Sequence, residues 1–230
     1  MTNMTAERGV DPWRRRLYLP AYKISDAARY SQVQPQVVTN WHHRSIATGA
    51  PTLPGRHPRQ HLSYLELVEV ALVSVFRRLG VSLEAIARTR EYMRQTFGTE
   101  YPFTEYDFKT DGMRMLFTWR EFEDIPELNE VIVADAGGQL GWELLMVKRL
   151  AEFDYEHELA LMWHVAGRDS RVLIDPRQSF GAPTVHGVPT WVLNGRWEAG
   201  ASIPDIVDDF GLEEADITDG LAFEGVALAA

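Results

Sequence analysis

A chain of 230 residues with 45% apolar side chains can bury a real core, which excludes disorder as the default reading. The absence of cysteine excludes disulfides, thiol nucleophiles and cysteine-ligated zinc or iron–sulfur sites, and fits a cytoplasmic protein. The net charge of −10 conceals a split: residues 1–98 carry 14 Lys/Arg against 7 Asp/Glu, whereas residues 99–230 carry 9 against 26.

A basic front half suits a polyanion, because Lys and Arg displace condensed counterions from nucleic acid. An acidic rear half repels DNA and suits a basic protein partner. No apolar run approaches membrane-spanning length, so no membrane partner is expected.

The polar start, Met1 to Asp11, leads into Arg14, Arg15 and Arg16, a basic cluster that reads as a solvated arm or a phosphate contact. Ile24 to Val33 predicts a short helix with Ser25 as N-cap, Asp26 in the positive first turn, and Ala27, Ala28 and Val33 as a small apolar face. Pro35 to Arg44 predicts a second helix, with proline in its first turn and Val37, Val38 and Trp41 inward. Gln36, Thr39, Asn40, His43 and Arg44 then face outward. They carry the amides, hydroxyl and cations that read base edges and phosphates. His42 and His43 read as surface residues; adjacent helix positions point about 100° apart, a poor metal pair. Ser45 to His61 holds three prolines, two glycines and no acid, and suits a β-wing carrying Arg56 and Arg59 along the DNA backbone. With Arg29 and Gln34 beside the turn, these residues form the candidate DNA-contacting set.

Ser63-Tyr-Leu-Glu66 is a capping box opening an apolar helix with Leu65, Val68, Leu72, Val73, Phe76 and Leu79 inward and Gly80 as its stop. Ser82 caps another helix, with Leu83, Ile86, Arg90 and Met93 at helical spacing and Gly98 closing it. The motif Ile24-Ser-Asp-Ala-Ala-Arg-Tyr, Pro35 to Trp41, and then Gly80-Val-Ser-Leu-Glu-Ala-Ile86 resembles the winged helix-turn-helix of MerR-type regulators. The effector cysteines and long dimerising coiled coil of that family are absent.

In the middle, Asp107 to Phe117 reads as a β-hairpin about Asp111-Gly112, Val131 to Ala134 as a strand, and Leu140 to Phe153 as including a helix. Asp154, Glu156, His157 and Glu158 read as a solvated turn rather than a metal cluster, since nothing implies convergent ligands. Leu159 to Val165 predicts a strand. Val172 to Pro176 predicts another, followed by a hairpin across Phe180 to Thr190, a helix from Trp191 to Glu198, a Ser202-capped helix to Phe210, a turn at Gly211 and a last helix from Glu213. Residues 201–230 hold eight acids and no Lys or Arg, so this second helix-turn-helix suits dimerisation or protein recognition. The expected fold is α+β and mainly helical: a winged helix-turn-helix over 18–98, a β-rich connecting region of hairpins over 99–165, and a small acidic domain over 171–225.

The run Ile174-Asp-Pro-Arg, Phe180-Gly-Ala-Pro, Gly187-Val-Pro-Thr, Ala199-Gly-Ala-Ser-Ile-Pro-Asp-Ile and Phe210-Gly-Leu is similar to the homeodomain-like domain of VapB-type antitoxins. Phe108 to Gly112, Gly138-Gln-Leu140 and Leu161-Met-Trp-His extend the likeness to roughly residues 18–225. The resemblance implies an antitoxin and autorepressor whose partner is a PIN-like ribonuclease toxin. Arg196, Asp205, Asp208, Asp209, Glu213, Glu214 and Asp216 are its candidate toxin contacts, Arg196 by reaching an acidic nuclease site and the acids by mimicking RNA charge. Operator binding implies a homodimer on a two-fold site in double-stranded DNA. The other reading is a DNA-binding regulator without a toxin, sensing a small molecule near Trp119, Trp142 and Trp163. No P-loop, Gly-x-Ser-x-Gly elbow, His-Glu-x-x-His or dinucleotide fingerprint is present, so neither an enzyme nor a cofactor is expected.

Overall fold

The computed structural model describes residues 12–43, 51–57, 59–78, 81–104, 152–156 and 159–228. The expected hairpin at Asp111-Gly112, the strand from Val131, the helix from Leu140, and Arg44 and Gly80 lie outside those residues. The described part is α+β, with eight α-helices and one five-stranded antiparallel sheet.

The basic cluster falls in a short helix, α1 (Pro12–Arg16). Helix α2 (Ile24–Tyr30) follows, and its cap is not Ser25: Lys23 stands at the N-cap, and its N–H donates to Asp26 Oδ2 at 3.0 Å. The Asp26 carboxylate thus satisfies an orphan donor two residues earlier than expected. Helix α3 (Pro35–Trp41) begins on proline, whose missing N–H would have had no helical partner there.

Helix α4 (Tyr64–Arg78) is the centre of the molecule. Both capping-box bonds form: Ser63 N–H donates to Glu66 Oε2 at 2.7 Å, and Glu66 N–H to Ser63 Oγ at 3.2 Å. From Tyr64 to Phe76 every residue except Glu66 is buried, the pattern of a helix covered on all sides. Helix α5 (Leu83–Phe97) is capped by Ser82 Oγ, which accepts from Ala85 N–H at 3.1 Å, and ends on Gly98 at φ 67°. Its buried stripe takes in Ala85, Ile86 and Met93, while Leu83 in the first turn stays 38% exposed. Arg90, on that stripe, is buried against Glu69 of α4 with Nε 3.6 Å from the carboxylate. Glu69 also accepts the N–H groups of Phe103 at 2.8 Å and Thr104 at 3.1 Å. Burial pushes the Glu69 carboxyl up to about 7, against the opposing pull of Arg90.

The sheet is a meander of β1 (Phe153–Glu156), β2 (Leu159–Trp163), β3 (Leu173–Ile174), β4 (Pro183–Val185) and β5 (Val188–Pro189), each strand paired with the next. Asp154 and Glu156 therefore lie on a strand and not in a solvated turn. Their charges are answered across the sheet: Asp154 bonds His164 at 2.9 Å and also Arg168, and Glu156 takes Arg177 at 2.9 Å. Phe153, the last residue of the stretch expected to include a helix, opens β1 opposite Trp163, and the two rings stack with centroids 5.5 Å apart. The tight turn between β4 and β5 puts His186 at φ 47° and Gly187 at φ 84°, the left-handed pair that suits a two-residue hairpin.

One buried apolar core runs from Leu17 through α2, α3, α4 and α5 to β1–β4, so the front helices and the sheet share an interior. Tyr64 seals this joint by donating its hydroxyl to Leu161 O at 2.8 Å. Tyr22 does the same with Gly181 O at 2.9 Å. A second cluster, Leu193, Ile206, Ile217 and Leu221, holds together α6 (Thr190–Glu198), α7 (Ile203–Phe210) and α8 (Glu214–Phe223). Among the described residues no helix is long and apolar enough to cross a membrane.

Candidate functional site

Helix α3 buries Val38 and Trp41, half-buries Val37, and turns Gln34, Gln36, Asn40 and His43 to solvent with Thr39 half-exposed. The face is already ordered. Gln36 Nε2 donates to Asn40 Oδ1 at 2.9 Å, one helical turn on, and the Thr39 hydroxyl donates to Pro35 O at 3.0 Å. This leaves Gln36 Oε1 and Asn40 Nδ2 outward, an acceptor and a donor of the kind that pairs with an adenine edge. Small residues suit close packing: Ala27 and Ala28 of α2, which packs on α3 and α4, are fully buried. The turn between them carries Gln32 at φ 56°.

Of the expected wing, residues 51–57 and 59–61 are described; Pro51 makes a β-bridge and the segment is fastened to the end of α3. Leu53 is fully buried and its N–H donates to Trp41 O at 2.9 Å. His42, expected on the surface, is buried with Nδ1–H donating to Pro54 O at 2.7 Å. Burial lowers the imidazole below its usual value, so His42 is a neutral clasp between helix and loop. Arg59 is exposed and Arg56 half-buried.

Arg29, grouped by sequence with the DNA contacts, faces the rear of the chain. Its guanidinium meets Glu224 at 2.9 Å and lies over the rings of Tyr30 and Phe223, at 5.1 and 5.0 Å. Tyr30 and Phe223 pack directly, with centroids 5.7 Å apart. The end of α8 is thereby docked on α2. A contact across 195 residues leaves no local mark in the sequence, so Glu224, Tyr30 and Phe223 were not among the expected site residues.

The acidic module is more self-contained than its composition implies. Asp205 closes the α7 cap, accepting the Ser202 N–H at 2.9 Å. Arg196 is paired with Asp209, so its reach toward a partner competes with an internal bond. Asp216 is 2% exposed; it accepts the Glu213 N–H at 2.9 Å to cap α8 and meets Arg171 at 3.1 Å. Asp208, Glu213 and Glu214 remain exposed on the surface of α7 and the start of α8. Among the described residues no cluster of three or more His, Asp or Glu is arranged to hold a metal ion.

Residues 172–223 match the family described as "Protein of unknown function (DUF433)". The chain is 25% identical over 228 residues to a Mycobacterium tuberculosis protein named "Putative antitoxin VapB45", an alignment spanning 90% of this chain and 94% of that protein. The fold is shared with the crystal structure of Rv2018 from Mycobacterium tuberculosis, at a TM-score of 0.67 and 22% identity, covering 90% of this chain and 99% of that one.

Proposed function

We propose that this chain is the antitoxin of a type II toxin–antitoxin pair: a non-catalytic cytoplasmic protein that represses its own operon and neutralises a PIN-like ribonuclease. The observation that carries the proposal is the near full-length match to a relative named as a VapB antitoxin. In this reading the front part, 18–98, binds operator DNA as a homodimer. Gln36, Thr39, Asn40 and His43 read bases, with Gln34, Arg44, Arg56 and Arg59 on phosphates or the groove rim. The ordered amide pair of α3 supports base readout, because its geometry is prepaid before DNA arrives.

The rear part, 171–225, covers the basic RNA-binding surface of the toxin, and the region between connects the two. Asp208, Glu213 and Glu214 supply the exposed charge and steer association. Asp205, Asp209, Asp216 and Arg196 hold the helices that present it. The test is inhibition of a PIN-like ribonuclease encoded beside this chain, measured as RNA cleavage. The intact chain abolishes cleavage, and Asp208→Lys with Glu214→Lys weakens inhibition by at least about tenfold, since rim charges act mainly on association rate. Undiminished cleavage with the chain in excess overturns the reading.

A further inference from the structure

Phe180 is the most exposed large apolar side chain among the described residues, at 79%. The loop that carries it fixes that exposure. Ser179, Phe180 and Gly181 all hold positive φ, at 42°, 56° and 78°, and only the last is glycine. A bulky residue seldom adopts this region, and such strain persists where the surrounding structure holds a side chain in place for use. Both flanks are held. The Ser179 hydroxyl donates to Gly187 O at 2.9 Å, and the Tyr22 hydroxyl to Gly181 O at 2.9 Å. Gly181 is required there, since a Cβ would overlap Tyr22 Oη. The rear part of the chain thus brings an exposed ring to the segment just before α2. The Arg16 guanidinium of α1 lies over that ring, 4.9 Å from its centroid. Arg14 and Arg15 are exposed on the same short helix, and none of the three arginines meets a carboxylate among the described residues. Leu17, buried directly after them, accepts the Leu65 N–H at 3.3 Å and seats α1 on the start of α4. The neighbouring acids are taken: Asp26 by the Lys23 N–H and Asp175 by Arg177.

We propose that Arg14, Arg15, Arg16 and Phe180 form a second contact surface for double-stranded DNA, on the sugar–phosphate backbone beside the groove that α3 enters. The proposal rests on the DNA-binding reading above and extends it, because α1 and Phe180 both lie outside 18–98. The chemistry follows from the pairing. A guanidinium stacked on a ring keeps its in-plane N–H groups for phosphate oxygens. The ring fixes where Arg16 points, and its open side offers apolar contact to a deoxyribose. Three cations without acid partners suit a polyanion, which releases counterions to each of them. The position suits the same partner. In helix-turn-helix complexes the first helix crosses the DNA backbone. Tyr22, which anchors the Phe180 loop, leads directly through exposed Lys23 into α2.

The test combines anisotropy of the full chain on the duplex upstream of its own gene, over a salt series, with hydroxyl-radical footprinting of that duplex. Replacing Arg14, Arg15 and Arg16 together by alanine should lower the salt slope by about two to three. It should also erase one patch of protected sugars and leave the rest of the footprint in place. Phe180→Asn removes the ring while keeping a residue that tolerates the left-handed backbone. It should weaken binding to upstream and random duplex alike by about twofold to fivefold, the scale of one exposed cation–ring contact. Arg15→Ala keeps the test intact if the triple variant fails to fold, and should lower the slope by about one. A chain that binds the duplex with slope and footprint unchanged by the arginine substitutions, or with affinity unchanged by Phe180→Asn, overturns this proposal alone. No binding by the intact chain at low salt overturns it together with the DNA-binding reading. Arginine variants that keep the footprint but no longer inhibit the neighbouring ribonuclease would give the surface to a protein, which overturns it as well.

Discussion

The two short helix pairs of this chain, α2–α3 and α7–α8, are built alike and present opposite chemistry. In the front unit a short α2 with two buried alanines packs on α3, and the outward face of α3 carries amides, a hydroxyl and an imidazole. In the rear unit α7 and α8 meet over Ile206, Ile217 and Leu221, and the outward face carries carboxylates. The front unit leans on a large shared core; the rear unit has four fully buried residues of its own and a rim of half-buried ones. The lesson is that surface charge alone does not measure what a module offers a partner. Most acids of the rear unit are engaged in caps and internal ion pairs, whereas the polar groups of α3 are held outward.

This contrast can be broken first at the rear core. Ile217→Ala removes a fully buried side chain from a cluster of four and should cost about 2–5 kcal/mol, read by urea denaturation. The front-unit substitution Val38→Ala removes less volume from a larger core and should cost about 1–2 kcal/mol. A rear unit that tolerates Ile217→Ala as well as the front tolerates Val38→Ala would remove the distinction.

On the DNA side, Asn40→Ala should lose about 1–3 kcal/mol of discrimination between operator and unrelated duplex. Arg59→Ala should weaken both equally and lower the salt slope by about one. Equal losses of specificity in the two variants would place readout elsewhere than α3.

The joint between the units sharpens the comparison. The Arg29–Glu224 pair is 46% exposed on the arginine side and 13% on the carboxylate side, so solvent screening limits it to about 1 kcal/mol or less. A double-mutant cycle of Arg29→Ala with Glu224→Gln should show coupling of that size, and zero coupling would mean that the Tyr30–Phe223 ring contact alone holds α8 to α2.

A further test is one of acidity. Glu69 has its carboxyl raised from 4.5 to about 7 in the folded chain by burial. Such a group adds stability below its unfolded value and loses it as pH climbs through the folded one. Between about pH 4.5 and 7 its contribution to the melting temperature should therefore fall as pH rises, and Glu69→Gln should flatten that slope. An unchanged slope would mean another group sets it.

What could be read from residues alone follows the range of the forces. The Ser63–Glu66 box, the Ser82 and Ser202 caps and the left-handed Gly98 and Gly211 ends are local, and each appears where the pattern put it. The outward set of α3 was legible for the same reason, since 3.6-residue spacing separates Val38 and Trp41 from Gln36 and Asn40. Non-local pairing was not legible. Asp154 and Glu156 look like turn acids until Arg168 and Arg177 arrive from later in the chain. His42 looks exposed until Pro54 folds beneath it, and Arg29 looks free until Glu224 reaches it.

The measurement that tests the division of labour most directly is fluorescence anisotropy of the full chain on the duplex upstream of its own gene, against a random duplex, across a salt series. The account predicts a preference of about 10³-fold or more for the upstream duplex, with affinity falling steeply as salt rises. It also predicts that Asp208→Lys with Glu214→Lys leaves that preference in place. Equal affinity for both duplexes, or no binding at low salt, would contradict it.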